Sequence, residues 1–204
     1  MWQCPPVFER DSLVHTPTHI LIGTAALTKP GARAVNFAAA AGAFLPDLPM
    51  YVMFFGARFL FGMTDHDLWP RPAGLYWQEP WQSITNASHS IIVFGAILGA
   101  ALWLASGPWK AFALSGLLHI AFDLPVHRED GHAHFWPLSN WVYISPVSYW
   151  DRDHYGSIVA PLETLLVVAL TVILLRRFRD WWVRVLLVLG LVSQAAPFVY
   201  FVLL

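Results

Sequence analysis

Between Ser90 and Val126 the only ionisable side chains are Lys110, His119 and Asp123. The two halves of that stretch, SIIVFGAILGAALWLAS (Ser90 to Ser106) and WKAFALSGLLHIAFDLPV (Trp109 to Val126), each approach the ~20 residues needed to cross a ~30 Å hydrocarbon core. Gly107-Pro108 between them signals a tight turn, so the spacing predicts a helical hairpin in a membrane. A second hairpin is predicted from Ile158 to Leu175 and from Trp181 to Leu204, joined by the basic link Arg176-Arg177-Phe178-Arg179-Asp180. Thr18 to Thr28 and Ala34 to Leu45, separated by Lys29 to Arg33, are shorter, about 15 to 20 Å as helices. They read as a short hairpin that does not fully span. After Pro46-Asp47-Leu48-Pro49, Met50 to Gly62 is apolar but carries Arg58, which suits an interfacial or tilted helix.

The expected fold is therefore all-α, a polytopic membrane helical bundle of about 5 to 7 helices. Four are full spans in two hairpins, and the chain forms one integral-membrane domain over residues 1–204. Composition agrees: 57% of residues are hydrophobic and 12% charged, against roughly 45 to 50% and about 25% in soluble domains. A net charge of -1 gives no basic surface for nucleic acid. The single cysteine, Cys4, cannot form an internal disulfide. The N-terminal MWQCPPVFERDSLVH lacks the apolar core of a signal peptide, so insertion is expected to rely on the internal helices.

Hairpin topology assigns the charges to two sides. The turns at one side hold Lys29, Arg33, Lys110, Arg176, Arg177, Arg179 and Arg184 with one acid, Asp180. The other side, or the helix ends nearest it, holds all nine histidines and the remaining carboxylates. By the positive-inside rule the basic side is cytoplasmic, which predicts a multi-pass inner-membrane protein with its histidines facing the outside or periplasm.

Within that polar set, His119 and Asp123 lie four residues apart and share a helix face. Ionisable groups in a membrane helix are expensive and mark functional sites. Imidazole and carboxylate at this spacing suit zinc or another divalent ion, and His127, beyond Pro125, can fold back to the same place. His89 opens the helix that pairs with the one bearing His119. Asp47 follows Pro46 at a helix end, and His19 opens the first short helix behind Thr16-Pro17-Thr18. The plain alternatives are a hydrogen-bonded His119–Asp123 pair, histidines as caps or interfacial residues, and Asp47 as a turn residue. Further candidates lie in the loop after His127: His132, His134, Asp151 and His154, as ligands or as carboxylates orienting one, or as interfacial loop polarity. Glu163 reads as an N-terminal helix charge or as a residue reaching the site.

The order His19, Gly42-Ala43-Phe44-Leu45-Pro46-Asp47, His89-Ser90 and His119-x-x-x-Asp123 with His127 resembles the membrane-bound metal-dependent hydrolase family, the YdjM-like inner-membrane proteins. More distantly it is similar to zinc-dependent phospholipase C and related single-strand nucleases. Some chains resembling this one in the HFWPLSNWVYISPVSYWD stretch carry a cobalamin-biosynthesis label. The sequence departs from these patterns where Ile84-Thr85 replaces a His-Arg pair, and where His154 is followed four residues on by Ile158 rather than by glutamate. One or two ions are therefore expected rather than three. The resemblance implies a metal-dependent hydrolase, zinc-dependent, acting on a phosphoester or lipid-like substrate at the outer face. His19, His89, His119, Asp123 and His127 are the implied ligands, with Asp123 able to bridge two ions. Asp47 is the implied catalytic base or an added ligand. The expected partners are membrane lipids and a small-molecule or lipid substrate. The rival expectation is a non-enzymatic metal-binding or transport-accessory protein, linked to cobalt or cobalamin. Placement of the candidates at helix ends, rather than near the bilayer midplane where transport sites lie, favours a surface site.

Overall fold

The computed structural model describes residues 16–194, so the readings of Cys4, of the N-terminal segment and of the end of the last span fall outside it. Among the described residues every regular element is helical. The α-helices are α1 (Thr16–Leu27), α2 (Arg33–Phe44), α3 (Leu48–Leu60), α4 (Asp65–Leu68), α5 (Trp81–Ser88), α6 (Ile91–Trp103), α7 (Gly107–Asp123), α8 (Gly156–Arg177) and α9 (Trp181–Ser193), with 3-10 turns at Leu75–Trp77 and Arg152–His154.

Local chemistry explains the boundaries. Pro49 and Pro108 sit in the first turns of α3 and α7, where a missing N–H costs nothing. Ser90 caps α6, its Oγ accepting from the amides of Ile92 and Val93. Thr64 and Asp67 form a capping box that starts α4. The α1–α2 turn uses Gly31 at φ +83°, a left-handed conformation that glycine adopts without steric cost. Asn36 closes the same turn by pairing with both backbone groups of Lys29.

The helices differ from the predicted spans in length. α6 stops at Trp103 because Ala105 takes a left-handed φ of 51°; α7 stops at Asp123, two residues before Pro125. Among the described residues one helix, the 22-residue α8, is long and apolar enough to cross a membrane. At 1.5 Å per residue it spans about 33 Å, and it leaves Ile158, Leu162, Leu165, Val168, Val172 and Ile173 exposed, which is consistent with membrane association. Two further spans arise if each bent pair counts as one: α2 with α3, bent by 65°, and α5 with α6, bent by 47°. The segment Met63 to Ala87 folds into α4, a 3-10 turn and most of α5; its polarity hides these short helices from hydropathy.

Close packing of α7 on α2, α1 and α6 centres the structure, and glycine permits it. A Cβ at Gly42 would lie 2.1 Å from the Phe112 carbonyl oxygen, and one at Gly116 would lie 2.0 Å from the Phe94 ring. A second apolar cluster, Leu21, Val167, Leu174, Phe178 and Leu187, joins α1, α8 and α9. α8 also holds α1 at both ends. Near its start, Thr18 donates to Glu163 (2.5 Å) and accepts from Gln194 (2.5 Å). Near its end, Arg177 donates to the carbonyls of Ala25 (2.7 Å) and Thr28 (2.9 Å). α1 and α8 therefore run in the same direction. Chain order then brings the start of α1, the end of α2, the start of α6 and the end of α7 to one end of the molecule.

Candidate metal centre

Asp123 stands at the middle of that end, nearly inaccessible, with four imidazoles around its carboxylate. On the Oδ1 side are Nε2 of His19 at 2.9 Å and Nε2 of His127 at 3.3 Å. On the Oδ2 side are Nε2 of His119 at 2.9 Å and Nε2 of His89 at 3.7 Å. Asp47, at the head of α3, points Oδ1 toward the second pair, 3.6 Å from His119 and 3.9 Å from His89. Its other oxygen accepts from Thr16 (2.5 Å), whose hydroxyl accepts from Tyr51 (3.1 Å). The six residues that sequence spacing nominated thus converge, from five separate segments of the chain. Sets of three ligand atoms lie within 4.8 Å of one another in His19, His119 and Asp123, and in Asp47, His89 and His119.

The backbone fixes which nitrogen faces inward. Nδ1 of His119 lies 2.7 Å from the Ala43 carbonyl and Nδ1 of His89 3.0 Å from that of Thr85. A carbonyl only accepts, so Nδ1 carries the proton in each, and in its neutral form each ring turns a lone pair at Nε2 toward the carboxylates. Lone pairs facing lone pairs repel unless a proton or a cation lies between them.

The donor set fits a cation by two criteria. The first is unmet polar demand. Among the described residues, buried side-chain polar atoms without a hydrogen-bond partner are His119 Nε2, Asp123 Oδ1, His19 Nδ1, His127 Nδ1 and Asp130 Oδ1, together with Ser115 Oγ and Thr171 Oγ1. The short approaches to Asp123 lack the alignment of a hydrogen bond, and each unsatisfied buried group costs about 1 to 3 kcal/mol. The second criterion is spacing. Ligand atoms about 2.1 Å from a metal lie about 3.0 Å apart at a right angle and about 3.4 Å apart at a tetrahedral angle; the separations above run from 2.9 to 3.9 Å.

Residues outside this set hold it in place. His127 Nδ1 lies 3.1 Å from Asp130 Oδ2, which accepts from the Tyr149 hydroxyl at 2.9 Å. Burial opposes charge on His127, but Asp130 and Asp123 beside it raise its pKa well above the ordinary value. Burial likewise opposes ionisation of Asp130, and His127 overcomes this to hold its carboxyl below the usual range. Burial and then the Asp130 charge push the Tyr149 phenol well up.

The further loop candidates are placed differently. His132 stacks on the His89 ring at 3.8 Å, and His134 Nδ1 lies 3.0 Å from the His89 carbonyl. The Ser90 hydroxyl donates to the Trp136 carbonyl, and the His134 carbonyl accepts from the Ile91 amide, so residues 132–136 clamp the α5–α6 break that carries His89. Asp151 and His154 pair with each other in the 3-10 turn. Glu163 reaches Thr18, the neighbour of His19. The sequence assigns no site role to Thr16, Tyr51, Asp130 or Tyr149; of these, Asp130 had a usable signal, standing three residues after His127. No protein-family model, curated protein or solved structure matches the chain.

Proposed function

We propose that this chain is a membrane-embedded, divalent-metal-dependent hydrolase, zinc-dependent, acting on a phosphoester or lipid-like substrate at the outer membrane face. The observation that carries the reading is the convergence of four imidazole nitrogens and two carboxylates on one buried, hydrogen-bond-deficient point. A bound Zn2+ lowers the pKa of its water to about 7 and polarises a phosphoryl oxygen. His19, His127 and Asp123 Oδ1 form one half of the ligand set. His89, His119 and Asp123 Oδ2 form the other, so that if two ions bind, Asp123 would reach both. Asp47 is the base: Thr16 holds one of its oxygens, and the other faces the histidines to take a proton from water.

Access supports a substrate at the Asp47 and His127 edge. Those side chains are 17% and 14% exposed, against 2% for Asp123. α3 carries Val52, Phe55, Phe59 and Leu60 exposed beyond Asp47, a surface suited to the apolar part of an amphiphile. Hydrolysis of a generic chromogenic phosphodiester by the purified protein is expected to vanish on chelation and to return with zinc. Metal bound at one or two equivalents with no hydrolysis of any ester would instead support a holding site, a reading favoured by the near-complete burial of His19, His89, His119 and Asp123. The basic turns support an outward-facing site. A reporter fused after Leu204 is expected to read outside the cytoplasm, and a cytoplasmic signal would reverse this orientation.

A further inference from the structure

Of the four histidines around Asp123, only His127 has its outer nitrogen facing a charged side chain. His89 and His119 turn theirs to backbone carbonyls, which no side-chain substitution removes, and His19 Nδ1 has no hydrogen-bond partner. His127 Nδ1 instead lies 3.1 Å from Asp130 Oδ2, a close approach off the hydrogen-bond axis.

A folded loop fixes this pair. The Tyr149 hydroxyl donates to the same Asp130 oxygen, its amide donates to the Val126 carbonyl (3.1 Å), and its ring lies 4.9 Å from that of His127. Ser145 ties the loop again: its amide donates to the His127 carbonyl (3.2 Å) and its hydroxyl to the Pro125 carbonyl (2.6 Å). These contacts return the chain from residues 145–149 to the end of α7.

We infer that Asp130, held by Tyr149, is a positioning residue that sets the ring orientation and raises the donor strength of His127 as a metal ligand. The physical basis is general: a carboxylate accepting from the outer nitrogen of a ligating imidazole fixes its tautomer and makes the inner nitrogen more basic, and losing it costs about 10 to 100-fold in metal affinity. The inference rests on the metal-centre reading above. A second consequence separates it from packing: Asp130 acts through an acceptor oxygen, so asparagine, which keeps one in place, restores much of the effect, whereas alanine does not.

The test is Co2+ titration of the full-length protein in detergent, read by the visible ligand-field spectrum, for the unaltered protein, Asp130→Ala, Asp130→Asn and Tyr149→Phe. Asp130→Ala is expected to weaken Co2+ binding by about 10 to 100-fold and to shift the visible bands. Asp130→Asn should recover most of the affinity, and Tyr149→Phe, which leaves the carboxylate in place, should lose less than Asp130→Ala. Equal affinity and identical spectra in Asp130→Ala and the unaltered protein would overturn this inference alone. Equal losses in Asp130→Ala and Asp130→Asn would also overturn it, since the acceptor oxygen would then not matter. Absence of Co2+ binding by the unaltered protein would overturn the metal-centre reading together with it.

Discussion

Replacing Asp123 with alanine is expected to strip the protein of bound divalent metal, with a loss of affinity larger than the ~10 to 100-fold that an orienting partner supplies. The expectation follows from position: both oxygens of this one carboxylate are approached by imidazoles, two on each side. His127→Ala and His89→Ala each touch one side only. If two ions bind, elemental analysis should find metal reduced toward half in either histidine variant and nearly absent in Asp123→Ala. Equal, partial losses in all three would indicate one ion and remove the bridging role. Unchanged metal content in Asp123→Ala and in His119→Ala would sink the ligand assignment altogether.

The largest effect on folding is expected at Gly42, which is outside the ligand set. Its missing Cβ makes room for backbone: the Phe112 carbonyl oxygen would lie 2.1 Å from an added methyl, with the carbonyl carbon and Cα at 2.8 and 2.9 Å. Backbone of a packed helix cannot swing aside as a side chain does, so Gly42→Ala must separate α2 from α7. Overpacking costs about 1 to 3 kcal/mol, occasionally more, and here the upper end applies. Gly99 in α6 is the control, because a Cβ there meets nothing within 4 Å; Gly99→Ala is expected to be neutral or to gain up to about 1 kcal/mol from helix propensity. Thermal unfolding followed by circular dichroism in detergent compares the two, and a Gly42→Ala midpoint equal to that of the unaltered protein would show that α2 and α7 can adjust. The same displacement would move the Ala43 carbonyl that orients His119, so Gly42→Ala is also expected to weaken metal binding.

The parts of the site legible in the sequence were those set by helix periodicity and chain order. His119 and Asp123 share a face because they are four apart, and antiparallel connections carry His19, Asp47 and His89 to the same end. What could not be read depended on contacts across the loops. Tyr149 meets Asp130 only after nineteen residues of irregular chain fold back, and no periodic pattern marks that closure. Thr16 opens α1 as its start signal implied, but nothing in the sequence showed that its hydroxyl would also serve Asp47. The length of α6 was overestimated because hydropathy does not register a left-handed alanine at 105, whereas α8, read as Ile158 to Leu175, runs longer, from Gly156 to Arg177. α5, WQSITNAS, was missed for the opposite reason, being too polar to stand out.

The double attachment of α8 to α1 has a mechanical meaning. Glu163 and Arg177 fasten opposite ends of the same short helix, with fourteen residues, or about 21 Å of helical rise, between them. α1 is thereby indexed against α8 in both height and rotation, because a slide or twist that keeps one fastening breaks the other. His19 stands next to Thr18, the upper fastening point, so its height relative to Asp123 is gauged by the long apolar helix α8. If α8 crosses a bilayer, a change in its tilt, such as a thicker or thinner bilayer imposes, would reach one wall of the candidate metal centre through these two fastenings.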